Sequence, residues 1–313
     1  MLIWLCLFVV FVIILWLSSN RVLVGVKRIA RAFGVSEIAV TLLVLSIFAS
    51  LPEFLISALA ALNNSSEVSL GTVVGSNIFT LLVVLGLAAI IRPFHVKMVI
   101  EERDSVWMLL SSAVILIFVP GGISRLEGFF LVLLYFPYIS SVYLSEKKKR
   151  TSVSVGGRKK SKKWKEVFIL VSSLFIMLAS AEVVLRSGMK LSAKIHIPTL
   201  VMGLVLMGIG TSIPETAIGI SSALKKKTDI TLGDVYGTNI FTCLFILGVC
   251  AIIQPIPVSA DVQTFILPFF IFSTIILQLF FSTHHRVGRL EGIMLIIVYS
   301  YFALATLNIL PKP

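Results

Sequence analysis

Two glutamates carry the strongest chemical signal in the chain. Glu53 lies in SLPEFLISALAAL (residues 50–62) and Glu215 in SIPETAIGISSAL (212–224), both deep inside apolar runs. A carboxylate at membrane depth costs at least about 2.5 kcal/mol even on insertion scales, so it reads as functional by default. The bland alternative is a pair of protonated carboxyls joining neighbouring helices, but that gives no reason for one Pro-Glu pair to occur twice. Pro52 and Pro214 each lack an N–H and clash with the carbonyl one turn back. The helix is therefore expected to break, freeing carbonyls around Ser46–Ala49 and Gly208–Thr211. Irregular backbone inside a membrane must be satisfied by a cavity or an ion. Hard cations take carboxylate, carbonyl, hydroxyl and amide oxygens, and a proline break beside a buried glutamate supplies the first two together.

The hydroxyls and amides come from GSNIFT (75–80) and GTNIFT (237–242), which place Ser76, Asn77, Thr80, Thr238, Asn239 and Thr242 in otherwise apolar spans. Ser76 and Thr80 are four apart and share a helix face, as do Thr238 and Thr242. Gly71 and Gly75, like Gly233 and Gly237, permit close helix approach. Glycine spacing alone signals packing; here it brings polar neighbours together.

Composition says what kind of element holds these residues. The 313 residues are 58% hydrophobic and 13% charged, with a mean hydropathy of +1.04, whereas soluble domains carry about 25% charged residues. A bilayer core needs about 20 apolar residues per helix. Ten spans are predicted, at 2–18, 37–62, 69–91, 105–119, 127–145, 166–185, 199–224, 231–253, 262–281 and 290–309. Met1 to Leu17 has no basic leading region and no small-residue cleavage site, so it reads as a first span rather than a signal peptide. No attached soluble domain is expected. The net charge of +12 is not a nucleic-acid footprint: 22 of the 27 Lys and Arg fall on one side, in 20–36, 92–104, 146–165, 225–230 and 282–289. Arg125, Arg186, Lys190, Lys194 and Lys312 fall on the other. Positive loops stay cytoplasmic, which predicts extracytoplasmic termini and a cytoplasmic 146–165 loop. That loop reads as a solvated topology anchor, with contact to anionic lipid as the alternative.

The chain also repeats itself. Offset by 162, residues 50–62 lie on 212–224, and LGTVVGSNIFTLLVVLGLAAIIRPFHV (70–96) lies on LGDVYGTNIFTCLFILGVCAIIQPIPV (232–258) without a gap. At offset 164, RLEGFFLVLLY (125–135) matches RLEGIMLIIVY (289–299). Five spans per repeat, an odd number, force the second copy to enter from the opposite side, and transporters of this build bind their ions near the midplane where the repeats meet. The expectation is an all-α integral membrane protein: a first five-helix repeat at 1–145, a basic linker at 146–165, and a second, inverted repeat at 166–313.

At these motifs the sequence resembles the sodium/calcium exchanger superfamily, in particular its prokaryotic ten-helix members. The paired signatures stand here as Ser50-Leu51-Pro52-Glu53 with Gly75-Ser76-Asn77-Ile78, and as Gly210-Thr211-Ser212-Ile213-Pro214-Glu215 with Gly237-Thr238-Asn239-Ile240. The likeness covers nearly the whole chain. It implies antiport of calcium against sodium by alternating access, with Glu53 and Glu215 as shared ligands. It implies side-chain oxygens from Ser50, Ser76, Thr211, Ser212 and Thr238, and carbonyls from Ser46, Ala49, Gly208 and Thr211. It further implies that the first and sixth helices slide past the rest. The first repeat departs from the pattern with Phe48-Ala49-Ser50 in place of Gly-Thr-Ser. Thr80 and Thr242 stand where sodium-using relatives often carry Asn or Asp. The G-N-x-x-E of proton-coupled members is missing, which favours sodium; calcium/proton antiport on the same glutamates is the alternative.

Other classes fit less well. A channel normally needs a continuous polar pore, and the polar residues here cluster at one depth. Gly233-Asp234 resembles an intramembrane aspartyl protease motif, but no second aspartate lies inside a span; Asp234 is expected near the start of the eighth helix, where it favours the dipole. There is no phosphate-binding glycine loop and no nucleophile–histidine pair, and His95, His196, His284 and His285 are loop or interfacial. Neither an enzyme, nor nucleotide or nucleic-acid binding, nor a resident cofactor is expected. Cys6, Cys243 and Cys250 read as packing residues. The partners expected are the lipid bilayer and small inorganic cations, for a chain working as a monomer.

Overall fold

The structure, a computed structural model, describes residues 2–32, 46–95, 103–148, 163–226, 228–284 and 286–307. Ten membrane helices account for nearly all of them. They are α1 (Leu2–Ala32); α2, broken into Ser46–Ala49 and Leu51–Leu62; α3 (Ser66–Ile91); α4 (Ser105–Phe118); α5 (Arg125–Lys148); and α6 (Lys163–Ile195). There follow α7, broken into Thr199–Thr211 and Ile213–Leu224; α8 (Thr228–Phe241, continued through Leu247–Ile253); α9 (Val262–Ile266 and Leu267–His284); and α10 (Arg289–Thr306). Residues 37–45 of the expected second span and residues 149–162 of the 146–165 loop lie outside the described residues.

Burial ranks the helices. In α3 and α8, 78% of the apolar window is inside the protein, against 28–44% in the other long spans, so these two form the centre. The outer helices leave large apolar side chains uncovered, such as Ile3 at 73% and Phe168 at 73%, as lipid-facing residues must be.

Two helices overrun their expected ends. α1 continues past residue 18 to Ala32, and α6 past residue 185 to Ile195. Neither extension contains proline, and Arg186, Lys190 and Lys194 recur every fourth residue on one exposed stripe, a helical spacing. The basic side chains therefore ride on helix that leaves the apolar layer, and do not mark loops. α1 and α6 run side by side, with Gly25 against Leu170.

The repeat is visible in backbone detail. Strand β1 (Phe94–His95) pairs antiparallel with β2 (Arg286–Val287), and an isolated bridge joins Ile123 to Ile256. The two sequence offsets carry Phe94 onto Ile256 and Ile123 onto Val287, so the same bridge forms once at each end of the bundle. Gly86 crosses Gly292 as Gly248 crosses Gly128; a Cβ on any of them would meet the partner's carbonyl oxygen at 2.7–2.8 Å. Both crossings thus need glycine on both sides. Asn64 (φ 58°) and Lys226 (φ 62°) share a left-handed turn at equivalent positions.

Candidate functional site

The breaks in α2 and α7 superimpose in conformation: Ser50 has φ −81° and ψ 8°, Ser212 φ −85° and ψ 10°. The two halves of α7 are bent by 44°. Each proline sits in the first turn of the second half-helix, where a missing N–H costs no intrahelical bond. Pro52 and Pro214 cannot donate to the carbonyls of Phe48 and Gly210, four residues back. Phe54 N and Thr216 N resume the ladder by donating to Ser50 O (2.9 Å) and Ser212 O (3.0 Å). The glutamate lands in that same first turn, where the helix dipole favours negative charge.

Glu53 and Glu215 are each 2% exposed, and Oε2 of each has no hydrogen-bond partner. They lie close enough for their charges to oppose one another. No basic side chain among the described residues bears on either. The contrast is Asp104, also buried, which Arg103 clasps with two bonds of 2.7 and 2.9 Å. A buried charge left without a partner is strongly destabilising, so the glutamate pair requires a cation or protons. The Thr211 side chain approaches the Glu53 carboxylate from the other repeat. The repeat-equivalent position of Thr211 is Ala49, a 2%-exposed methyl that has no hydroxyl to offer.

The surrounding hydroxyls donate to backbone: Ser76 to Val73 O (3.1 Å), Thr238 to Asp234 O (2.9 Å), Thr211 to Met207 O (3.0 Å) and Ser212 to Gly208 O (2.8 Å). A hydroxyl that gives away its only proton presents its lone pairs outward, which suits a cation ligand. The Gly208 carbonyl also receives Ser212 N at 3.3 Å, so it would have to be released to reach an ion. Glycine brings α3 and α7 together here: a Cβ on Gly208 would meet Gly75 C and Ser76 N at 2.8 Å. Ser50 is buried at 0% exposure; Ser46 contributes described backbone only.

Asn77, Thr80, Asn239 and Thr242 assemble differently. Thr80 Oγ1 donates to Asn239 Oδ1 and Thr242 Oγ1 to Asn77 Oδ1, both at 2.8 Å, a reciprocal seam between α3 and α8. Both threonines open a five-residue π-turn, Thr80–Val84 and Thr242–Ile246, a local widening common at functional sites. The seam is not fully symmetric. Asn77 Nδ2 donates to Cys243 Sγ (2.8 Å), whereas Asn239 Nδ2 has no partner, because the residue equivalent to Cys243 is Leu81. Cys243 is thus more than packing.

Sequence reasoning misplaced Asp234. It sits inside the Thr228–Phe241 helix at 4% exposure rather than at the helix start, because the helix begins three residues earlier than the predicted span. Its charge bears on both Glu53 and Glu215. The available signal was its spacing: Asp234, Thr238 and Thr242 recur every four residues.

Two inverted five-helix repeats with paired, uncompensated acids at broken helices define a multi-pass membrane transporter rather than an enzyme. The profile of the sodium/calcium exchanger protein family matches residues 3–144 and 165–308, and the chain belongs to that family. Inner membrane protein YrbG of Escherichia coli (strain K12) is 32% identical over 252 residues, 76% of each chain. The sodium/calcium exchanger MaX1 of Methanosarcina acetivorans is 26% identical, covering 91% of this chain and 93% of its own. The sodium-calcium exchanger NCX_Mj, solved after soaking with 2.5 mM Na+ and 10 mM Sr2+, superimposes with a TM-score of 0.69 at 27% identity, covering 97% of this chain and 98% of its own.

Proposed function

We propose that the protein exchanges calcium for sodium across the membrane by alternating access, with Glu53 and Glu215 as the shared ligands. One observation carries the reading: two buried carboxylates, at equivalent broken-helix starts, each keep an oxygen unbonded and have no basic partner. One divalent ion or two monovalent ions neutralise the pair, and either occupancy removes the cost of buried charge. Both cannot be held at full charge together, so exchange follows from competition. Ser50, Ser76, Thr211, Ser212 and Thr238 complete the oxygen set, with carbonyls from Ser46, Ala49, Gly208 and Thr211.

The counter-ion has a second reading. Thr80 and Thr242 give their hydroxyls to the seam, which thins the outer ligand shell for sodium and favours protons carried on the same glutamates. Proteoliposomes separate the two. An outward sodium gradient should drive calcium uptake, and Glu53→Gln or Glu215→Gln should each abolish it while the purified protein keeps its helical content. Uptake driven by a pH gradient with sodium absent on both sides, and unchanged when sodium is added, would assign proton exchange. Wild-type exchange in either glutamate variant would remove the central role of the pair.

A further inference from the structure

Two buried hydroxyls stand apart from the rest. Around the glutamates, Ser76, Thr211, Ser212 and Thr238 all give their protons to carbonyls of their own helices. Among the described residues, Ser57 Oγ and Thr72 Oγ1 are the only hydroxyls sealed from water that have no hydrogen-bond partner, and both residues are 0% exposed. One bond fixes where they stand. Ser69 Oγ donates to Ser57 O at 2.6 Å, so Ser57 and Ser69 face one another where α2 and α3 run antiparallel. Counting along both helices from that pair, Thr72 comes level with Phe54, next to Glu53. Glu53 and Ser57 are four apart and share a face of α2, while Ser69, Thr72 and Ser76 share the facing stripe of α3. Side chains tilt toward the N-terminus of their own helix, so Ser57 leans toward Glu53 and Thr72 leans toward Ser57. Three unbonded oxygens, Glu53 Oε2, Ser57 Oγ and Thr72 Oγ1, thus gather within about one helix turn. The second repeat keeps the register, with Thr231 Oγ1 on Gly219 O at 3.5 Å, but not the hydroxyls: Ser57 and Thr72 become Gly219 and Asp234. The cluster belongs to the Glu53 half alone.

We propose that Ser57 and Thr72, with Glu53, form a separate site for one monovalent cation, sodium in the exchange cycle, on the α2–α3 loop side of the glutamate pair. Charge selects the ion. Calcium needs both carboxylates and so lies between them, whereas one carboxylate neutralises a sodium ion and leaves only neutral oxygens to be found. Each hydroxyl can turn its proton onto the carbonyl four residues back, Glu53 O for Ser57 and Val68 O for Thr72, and present its lone pairs to the ion. Sodium held there draws Glu53 away from calcium, so the two ions exclude one another without occupying one position.

This inference rests on the exchanger reading, and the experiment separates the two. Radioactive calcium is bound to the purified full chain in detergent, at each variant's own half-saturating concentration. It is then displaced by sodium chloride, with choline chloride holding the ionic strength constant. Wild type should bind calcium and Glu53→Gln should not. Thr72→Val, which keeps the shape, and Ser57→Ala should each raise the sodium midpoint severalfold; Thr72→Ser, which keeps the hydroxyl, should stay at the wild-type value. Thr72→Val should also melt no lower than wild type, because it removes a buried hydroxyl that bonds to nothing. Sodium curves of Thr72→Val and Ser57→Ala that superimpose on wild type, beside a dead Glu53→Gln, would overturn the sodium site and leave the exchanger reading standing. A shift of equal size in Thr72→Ser, or a lowered melting midpoint in Thr72→Val, would overturn it as a packing role. Calcium binding in wild type that sodium does not displace would overturn it together with the sodium assignment. Wild-type calcium binding in Glu53→Gln would remove the exchanger reading, and this site with it.

Discussion

The chain treats its buried acids in two ways, and the difference decides what they do. Asp104 is matched by Arg103 and is spoken for; Glu53 and Glu215 have hydroxyls and a helix start but, among the described residues, no cation of the protein's own. The two repeats differ here by a single missing hydroxyl. Thr211 approaches Glu53, while Ala49 is its counterpart in the first repeat. The sequence showed this substitution plainly but not its consequence, because nothing in a linear pattern says which repeat's threonine serves which repeat's glutamate: the support crosses over. Ala49→Thr should therefore restore to the first repeat the hydroxyl that Thr211 provides in the second, with its proton taken by the backbone and its lone pairs left for an ion. A further hydroxyl oxygen is a further ligand for a hard cation, so calcium should bind more tightly, as read by equilibrium binding of radioactive calcium. No gain in affinity, in a variant that folds and exchanges, would mean that a hydroxyl at this position does not serve the ion site. Asn77, Thr80, Asn239 and Thr242 teach a related lesson. Their types announced an oxygen-rich cluster, yet the structure has them bonding one another across the seam. Composition names the donors and acceptors available; only packing says which are already taken.

At the scale of elements, the duplicated Pro-Glu was enough to place both helix breaks, because proline acts locally and its effect does not depend on tertiary context. The long α1 and α6 were harder to bound. Hydropathy reports where lipid ends, and a helix has no reason to end there when no proline follows; in α6 the charges beyond that point keep a spacing of four. The glycines gave an intermediate signal. Gly75 reads from sequence as one more small residue, but a Cβ there would run into the backbone of Leu204, and Gly208 lies against Gly75 in turn. Backbone cannot step aside as a flexible side chain can. Gly75→Ala should therefore push α3 from α7, costing about 1–3 kcal/mol of overpacking strain and moving Ser76 away from the glutamates. Gly210→Ala makes the fitting comparison for stability, since its Cβ meets only Val12 side-chain carbons at 3.6–3.7 Å. Thermal unfolding in detergent should show a lowered midpoint for Gly75→Ala and little change for Gly210→Ala. Equal midpoints would show that the α3–α7 crossing can relax, and that the glycine is not needed for close approach.

For the whole molecule, the determining fact is that five spans per repeat invert the second copy, so equivalent positions must face opposite sides of the membrane. The bridges Phe94–Val287 and Ile123–Ile256 mark the two ends of the bundle, and they fall between helices in the order that inversion demands. We propose that charge assigns the sides. The loop Asn63-Asn64-Ser65 between α2 and α3 corresponds residue for residue to Lys225-Lys226-Lys227 between α7 and α8: one turn of the chain, duplicated, carries no charge in one copy and three lysines in the other. Duplication alone would have left the two loops alike, and the positive-inside rule supplies a reason for them to differ, because a lysine cluster retained in the cytoplasm fixes the orientation of its repeat. Asn63 and Lys225 are both exposed, so a cysteine at either one can be reached from water. In a background with Cys6, Cys243 and Cys250 replaced, Asn63→Cys should react with a membrane-impermeant thiol reagent added to intact cells, and Lys225→Cys should react only after the membrane is opened. The reverse pattern would keep the inversion but turn the molecule over, placing the termini in the cytoplasm. Labelling of both from the same side would be incompatible with five spans per repeat, and with it would go the opposed placement of Glu53 and Glu215 on which the exchange reading depends.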